Sequence, residues 1–278
     1  VSDGEPGEGD DPALVASGAP EAPRSEDKSE GESVFVVGVG PGHHEFLTPR
    51  GARRLREADV VVGFETVLSF VEPSLESETA VLTCGYRDEV ETLERFAGRV
   101  EAGDRGVAVA MGDPNHSGYQ FVGKVEAALA AAGLERPVRI VPGISSLGVA
   151  ASRARTPMEE TTFVTLHKRG PLEDDLDRLA DDVGERHLLV LPRPFDWMPE
   201  SVAAFLCERG ADPDLETLVL ERLTHEDEAI HRFSLGDLAG VEREGGSHED
   251  TPFSDLSVLA VRTTRTSANA SPESGGER

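Results

Sequence analysis

The run from Val34 to Pro49, Val-Phe-Val-Val-Gly-Val-Gly-Pro-Gly-His-His-Glu-Phe-Leu-Thr-Pro, constrains the fold of this chain more than any other stretch. Val34 to Val39 is short and almost unbroken in its apolar character, as expected of a strand buried on both faces of a parallel sheet. Gly38, Gly40 and Gly42 then allow a tight turn with no side chains in the way. Thr48 suits a helix N-cap, and Pro49 suits the first helical turn. A glycine loop at the carboxyl end of a first strand is where open α/β sheets take ligands. An ordinary strand-to-helix turn has the same composition, so the loop alone leaves both readings open.

Two phosphate-binding readings fail. A P-loop ends in Gly-Lys-Ser/Thr, which is absent here, and the dinucleotide fingerprint is broken because His43 stands where its last glycine belongs. Pro41 also removes an amide that a phosphate would use. The loop is therefore expected to accept a ligand that is not held by its phosphates.

Two further corners follow the same plan. Gly106 to Met111 is an apolar strand that exits sharply through Gly112, Asp113 and Pro114. Asp113 reads either as a cap of the next segment or as a carboxylate for a ribose or amine. Pro137 to Val141 is a strand that runs into Pro142-Gly-Ile-Ser-Ser146, and a helix begins near Leu147. Capping by Ser145 or Ser146 is expected in either reading. The segment Glu89 to Ala102 carries Val90, Leu93, Phe96, Ala97 and Val100 as one apolar stripe, hence a helix facing the core.

Strands alternate with helices up to about residue 155, which predicts a parallel sheet. A polar connector at 155–160 marks the expected domain boundary. The second half packs its strands closer together, at Thr161 to His167, His187 to Leu191, Leu215 to Leu223, Glu228 to Ser234 and Leu256 to Val261. That pattern predicts a mixed sheet. The expected organisation is thus a disordered acidic tail over 1–32, an α/β domain over 33–155, a second α/β domain over 156–262 and a polar tail over 263–278.

Net charge is -26, with 53 acidic residues against 27 Lys and Arg, so nucleic acid is not an expected partner. Lysine occurs only at Lys28, Lys124 and Lys168. An acidic, lysine-poor surface fits a cytosol of very high salt, where its self-repulsion is screened. Cys84 and Cys207 are far apart with no Cys-x-x-Cys spacing, which argues against a disulfide scaffold or zinc site and for a reducing compartment. The histidines show no ligand spacing, so no metal is expected. No apolar run reaches membrane-spanning length and no secretory signal is visible, so a cytoplasmic location is expected.

Gly38-Val-Gly-Pro-Gly42 with Phe46-Leu-Thr48 resembles the opening motif of the tetrapyrrole methyltransferases that use S-adenosylmethionine. Gly112-Asp-Pro114 and Pro142-Gly-Ile-Ser-Ser146 are similar to that family's second and third motifs. Val164-Thr-Leu-His-Lys-Arg169 resembles the Ser-Leu-His-Gly-Arg stretch of the branch that methylates carbon 5 of cobalt-precorrin-7, with Lys168 in place of the glycine. Phe253 to Val258 resembles the closing Phe-Ser-Asp-Leu-Asn-Val of that branch.

The resemblance implies a two-domain tetrapyrrole methyltransferase fold, parallel-rich in the first domain and mixed in the second, with the active site in the cleft between them. It implies transfer of a methyl group from S-adenosylmethionine to carbon 5 of cobalt-precorrin-7, in anaerobic cobalamin synthesis. Pro41, Gly112, Asp113, His116, Ser145 and Ser146 would meet the cofactor from the first half, and Leu191 and Leu223 from the second. His167, Arg169, Ser254 and Asp255 would face the corrin, whose carboxylates suit an arginine. A structural turn is the other reading of Asp255, and no catalytic base is identified. The resemblance further implies a homodimer and a separate protein for carbon-15 methylation and decarboxylation. Another corrin position, a non-tetrapyrrole acceptor and a non-catalytic tetrapyrrole carrier are the alternatives.

Overall fold

A computed structural model describes residues 33–85, 87–168, 170–194, 196–241 and 251–263. The expected tail at 1–32, all of the expected tail at 263–278 but Thr263, and Arg169 lie outside them. The chain divides into two compact units, Val1–Ser145 and Ser146–Arg278.

The first unit is built on five parallel strands: β1 (Val34–Gly38), β2 (Val60–Phe64), β3 (Ala80–Cys84), β4 (Gly106–Ala110) and β5 (Val138–Val141). Their order is β3-β2-β4-β1-β5, and every neighbouring pair is parallel. The unbroken apolar runs of β1 and β4 are explained by burial on both faces. Val34, Val36, Val60, Val62, Ala108 and Ala110 pack with helices α3 (Glu89–Glu101) and α4 (Tyr119–Ala131). The alternate residues Phe35, Val37, Val61, Val107 and Val109 pack with α1 (Pro49–Arg56) and α2 (Glu65–Val71) on the other face. This strict two-residue alternation is the strand period expressed as two separate cores. Thr48 caps α1 as its position predicts, accepting the Gly51 N–H at 3.1 Å beside Pro49 in the first turn; such a cap contributes about 1 kcal/mol.

The connections explain where a ligand fits. α1 and α2 carry the chain outward from β1 to β3 across one face, while α3 and α4 return it across the other. The connection after β4 therefore leaves on the face opposite to those after its neighbours β1 and β2. Such a reversal opens a crevice at the carboxyl ends of the strands.

α3 departs from its expected stripe. Val90 is 64% exposed, whereas Glu89 and Thr92 are buried with Leu93, Phe96, Ala97 and Val100. Glu89 is tolerated there because Lys124 of α4 pairs with its carboxylate, since a buried charge needs a partner of opposite sign.

The second unit holds α5 (Ser146–Ala154), β6 (Thr161–Thr165), α6 (Glu173–Asp182), β7 (His187–Leu191), α7 (Pro199–Glu208), β8 (Glu216–Glu221), β9 (Ala229–Ser234), α8 (Leu235–Ala239) and β10 (Ser257–Val261). Its sheet order is β6-β7-β10-β8-β9, parallel between β6 and β7 and antiparallel elsewhere. This is the expected mixed sheet. Leu188, Val190, Val219, Leu259 and Val261 form one core with Leu176, Leu179, Val202, Leu206, Leu235 and Leu238 of α6, α7 and α8. α5 packs on β7 and β10. The chain thus divides one helix earlier than the connector at 155–160 suggested. Among the described residues no helix is long and apolar enough to cross a membrane.

Candidate active site

In the first unit the three glycine corners are one construction. A Cβ at Gly143 would stand 2.0 Å from the Gly112 carbonyl oxygen and 2.8 Å from that of Gly38. A Cβ at Gly38 would stand 2.6 Å from both the Gly112 oxygen and the Gly143 nitrogen. Real Cβ contacts are never that short, so only glycine lets the exits of β1, β4 and β5 converge. Gly40 and Gly112 then exchange backbone hydrogen bonds, at 3.2 Å from Gly40 N to Gly112 O and 3.0 Å in return. The result is a corner of backbone at the expected crevice, with Pro41 half-buried beside it.

Gly112 differs from the other two. Its φ is +61°, and a Cβ there would meet nothing within 4 Å. Open space lies beside this backbone, as a ligand approaching the peptide would require. Asp113 follows in extended backbone and caps the single π-type turn Pro114–Gly118. Its Oδ1 accepts the Asn115 backbone N–H at 2.9 Å and the side-chain amide at 2.7 Å. Oδ2 accepts no hydrogen bond among the described residues and stays available. Both readings of Asp113 are therefore compatible, one for each oxygen. His116 is exposed on the turn, and Ser145 and Ser146 are half-buried where the chain passes into α5. π-type turns are uncommon and concentrate at functional sites.

The rings of His43 and His44 stand 4.4 Å apart. His43 is the extended cap of the short 3-10 turn His44–Phe46, so the chain direction changes between them. Cys84, at the end of β3, is buried and its thiol is pushed up to about 12 by desolvation, with Glu89 adding to it. It is unreactive at neutral pH.

In the second unit β6, β7 and β8 run together, opposite to β10. The exits of β6, β7 and β8 therefore share an edge with the entry of β10. That edge collects His167, Leu191, Leu223, Ser254 and Asp255, five of the six candidates from this half. The sixth, Arg169, lies outside the described residues. Leu166 donates its N–H to the Leu191 carbonyl at 2.9 Å, which sets His167 at the sheet's rim. His167 keeps an exposed surface, but burial of its imidazole pushes its pKa down; a hydrogen bond to the Pro192 carbonyl and the charge of Asp255 oppose that shift. Lys168, which replaces the branch's glycine, has no need of a left-handed backbone: among the described residues, the non-glycine ones with positive φ are Arg155, Arg222 and Thr224.

The Phe253–Ser254–Asp255 segment is strapped to the sheet by its neighbours. Glu221 Oε1 accepts the Ser254 N–H at 2.6 Å, and its Oε2 lies 2.7 Å from His231 Nε2. Phe253 packs edge-on against Phe233. Ser254 Oγ accepts the Leu256 N–H at 3.2 Å and so closes a turn that leaves Asp255 exposed. Leu223 is buried.

Sequence reasoning missed what shapes that backbone. Arg222 has φ 47° and Thr224 φ 73°, although neither is glycine. Such residues cost about 1–3 kcal/mol each and persist only when their surroundings hold them. The restraining residues, Glu221 and Glu228, carry no motif.

The fold agrees with known proteins. A solved cobalt-precorrin-4 methyltransferase superposes with a TM-score of 0.66 at 21% identity, over 86% of this chain and 97% of its own. A uroporphyrin-III C-methyltransferase of Thermus thermophilus, solved with S-adenosylhomocysteine, gives 0.60 at 26% identity, over 82% of this chain and 96% of its own. A probable cobalt-precorrin-7 C(5)-methyltransferase of Methanocaldococcus jannaschii is 28% identical over 207 residues, which are 74% of this chain and 91% of the relative. The family model of the tetrapyrrole (corrin/porphyrin) methylases matches residues 33–239. The chain belongs to that family, the S-adenosylmethionine-dependent tetrapyrrole methyltransferases.

Proposed function

We propose that this chain methylates carbon 5 of a cobalt-corrin intermediate on the anaerobic route to cobalamin. The observation that carries this reading is the shared edge of the second sheet. There the two stretches that separate the carbon-5 branch, Val164 to His167 and Phe253 to Val258, bring His167 and Asp255 within electrostatic reach of each other. The Methanocaldococcus jannaschii relative supports the same acceptor.

The residues present suit S-adenosylmethionine. The open side of Gly112 and the unused Asp113 Oδ2 offer a backbone surface and a carboxylate acceptor for ribose hydroxyls. Pro41, His116, Ser145 and Ser146 are the further contacts proposed from the first half, and Leu191 and Leu223 those from the second. When bound, S-adenosylmethionine supplies an electrophilic methyl group on a sulfonium. The protein's task is then alignment of two bound molecules rather than covalent catalysis. On the acceptor side, Ser254 and Asp255 are held in a fixed turn. His167 is oriented by the Pro192 carbonyl, and its partly buried imidazole is biased toward the neutral form that can take up a proton. Arg169 is proposed to face the carboxylates of the macrocycle.

The test is mass spectrometry of cobalt-precorrin substrates incubated with the protein and S-adenosylmethionine in molar potassium chloride. A gain of one methylene mass, located at carbon 5 by fragmentation, is the expected outcome. Methylation at another ring position would overturn the acceptor and keep the enzyme. Binding of the macrocycle without turnover would make the chain a carrier.

A further inference from the structure

The strained turn after β8 is held by an ion pair that no motif marks. Arg222 donates its N–H to the Leu256 carbonyl at 2.8 Å, and His225 donates to the Arg222 carbonyl at 2.9 Å. Between them, Thr224 donates its N–H to Glu228 Oε2 at 2.8 Å. A β-branched residue such as Thr224 rarely takes positive φ, so this hydrogen bond must select a conformation the chain would otherwise avoid. Glu228 is itself fixed from α5: Arg153 Nε meets Oε1 at 2.7 Å, and Nη2 meets Oε2 at 3.4 Å. The pairing holds the Glu228 carboxyl below its ordinary pKa and the Arg153 guanidinium above its own, so both stay charged.

One end of this arrangement carries a candidate cofactor contact and the other leads to one. The strained turn carries Leu223, and Arg153 stands near the carboxyl end of α5, the helix whose first residue is Ser146. We propose that Arg153 and Glu228 are positioning residues for S-adenosylmethionine. They fix the Leu223 backbone relative to α5, the helix that begins at Ser146, and touch neither reactant. Strained backbone over-determined by its surroundings clusters at ligand clamps. A carboxylate that accepts a backbone amide while held by an arginine is a rigid way to impose it. The proposal rests on the reading above that the chain binds this cofactor.

Calorimetric titration of the full chain with S-adenosylhomocysteine, paired with thermal melting, tests it. Glu228→Ala is expected to weaken binding about tenfold, and Glu228→Gln, which keeps an acceptor for Thr224, by no more than about threefold. Glu226→Ala removes the same charge two residues away on the exposed surface and is expected to bind within about twofold of wild type. Adding Thr224→Gly to Glu228→Ala relieves the strain. It is expected to recover melting temperature and not affinity, because glycine no longer fixes the turn. Wild-type affinity in folded Glu228→Ala would reduce the pair to a structural brace and overturn the proposal. So would joint recovery of affinity and stability in the double variant. Should Glu228→Ala fail to fold, Arg153→Met decides: it is expected to weaken binding severalfold, and unchanged affinity would overturn the proposal. Failure of the wild type to bind would sink the cofactor reading, and this proposal with it. Binding by wild type and equally by the variants would sink this proposal alone.

Discussion

The corner of the first unit and the edge of the second reach ordered backbone by opposite means. In the first, Gly38 and Gly143 let three loops touch through main-chain atoms and the Pro114 ring, and Gly40 and Gly112 pair directly. In the second, carboxylates of Glu221 and Glu228 capture the amides of Ser254 and Thr224 and hold turns made of ordinary residues. A corner made of glycine admits no added side chain at Gly38 or Gly143. An edge made of carboxylates tolerates additions and is loosened by deletions.

The sharpest way to break this contrast is Gly143→Ala. The added methyl would stand 2.0 Å from the Gly112 carbonyl, with only backbone to give way. The expected cost is about 3 kcal/mol or more, the scale of forced overpacking, measured by denaturant unfolding. Gly112→Ala is its control: the methyl meets nothing, so the cost is limited to the left-handed backbone, about 1 kcal/mol. Equal losses in the two variants would show that the corner is held by conformation and not by close approach.

The same contrast explains what could be read from the sequence. Close backbone approach requires glycine, and glycine next to proline after an apolar run is visible in any sequence, so the first corner was legible down to Asp113. Capture of an amide by a carboxylate leaves no such mark. Glu228 is one acid among 53, and Arg222-Leu-Thr224 contains neither glycine nor asparagine to announce positive φ. The strands divide similarly. β1 and β4 are covered on both faces and read as unbroken apolar runs. β3, an edge strand with Val81 47% exposed, was not recognised, and α8 is only five residues long. Val90 is apolar yet exposed, because the pairing that draws Glu89 inward comes from Lys124 of another helix.

Asp113→Ala comes next in expected effect, and acts on function rather than on architecture. Because the corner is backbone, stability is expected to fall by about 1 kcal/mol, the loss of a cap. Affinity for S-adenosylhomocysteine is expected to fall at least tenfold, since Oδ2 offers a charged acceptor worth about 1.5–3 kcal/mol. Wild-type affinity in this variant would remove Asp113 from the cofactor site.

Glu221→Ala is the counterpart at the other edge. It strips one acceptor from the Ser254 amide and one partner from His231, and is expected to cost about 1–3 kcal/mol. Glu221→Gln, which keeps an oxygen for Ser254, should lose less than half as much. If alanine and glutamine cost the same, the charge of the Glu221 carboxylate matters and the strap on Ser254 does not, which would weaken the idea that amide capture shapes this edge.

The smallest expected effect is in pH dependence, and it separates the two ends of the second sheet. His187 is buried at the start of β7, where its Nδ1 accepts the Thr263 N–H at 3.0 Å, an arrangement that needs a neutral ring. Burial lowers its pKa, Arg262 and Arg186 add to the lowering, and Glu160 opposes it. His167 at the opposite end is lowered too, by burial alone, against Pro192 and Asp255. In both cases the unfolded chain takes a proton near pH 6.5 while the folded chain resists, so stability is complete above that value and declines as pH falls below it. Thermal melting should show the decline as a shift of a few degrees at most, since about 1 kcal/mol moves a chain of this size by about 2–4 °C. His187→Gln should flatten most of it. Protonation at His187 breaks a backbone hydrogen bond, whereas His167 keeps an exposed face and a carboxylate nearby. If His167→Gln flattens the profile instead, the rim of the sheet, not its buried end, senses the proton, and the imidazole proposed to face the corrin is the more perturbed of the two.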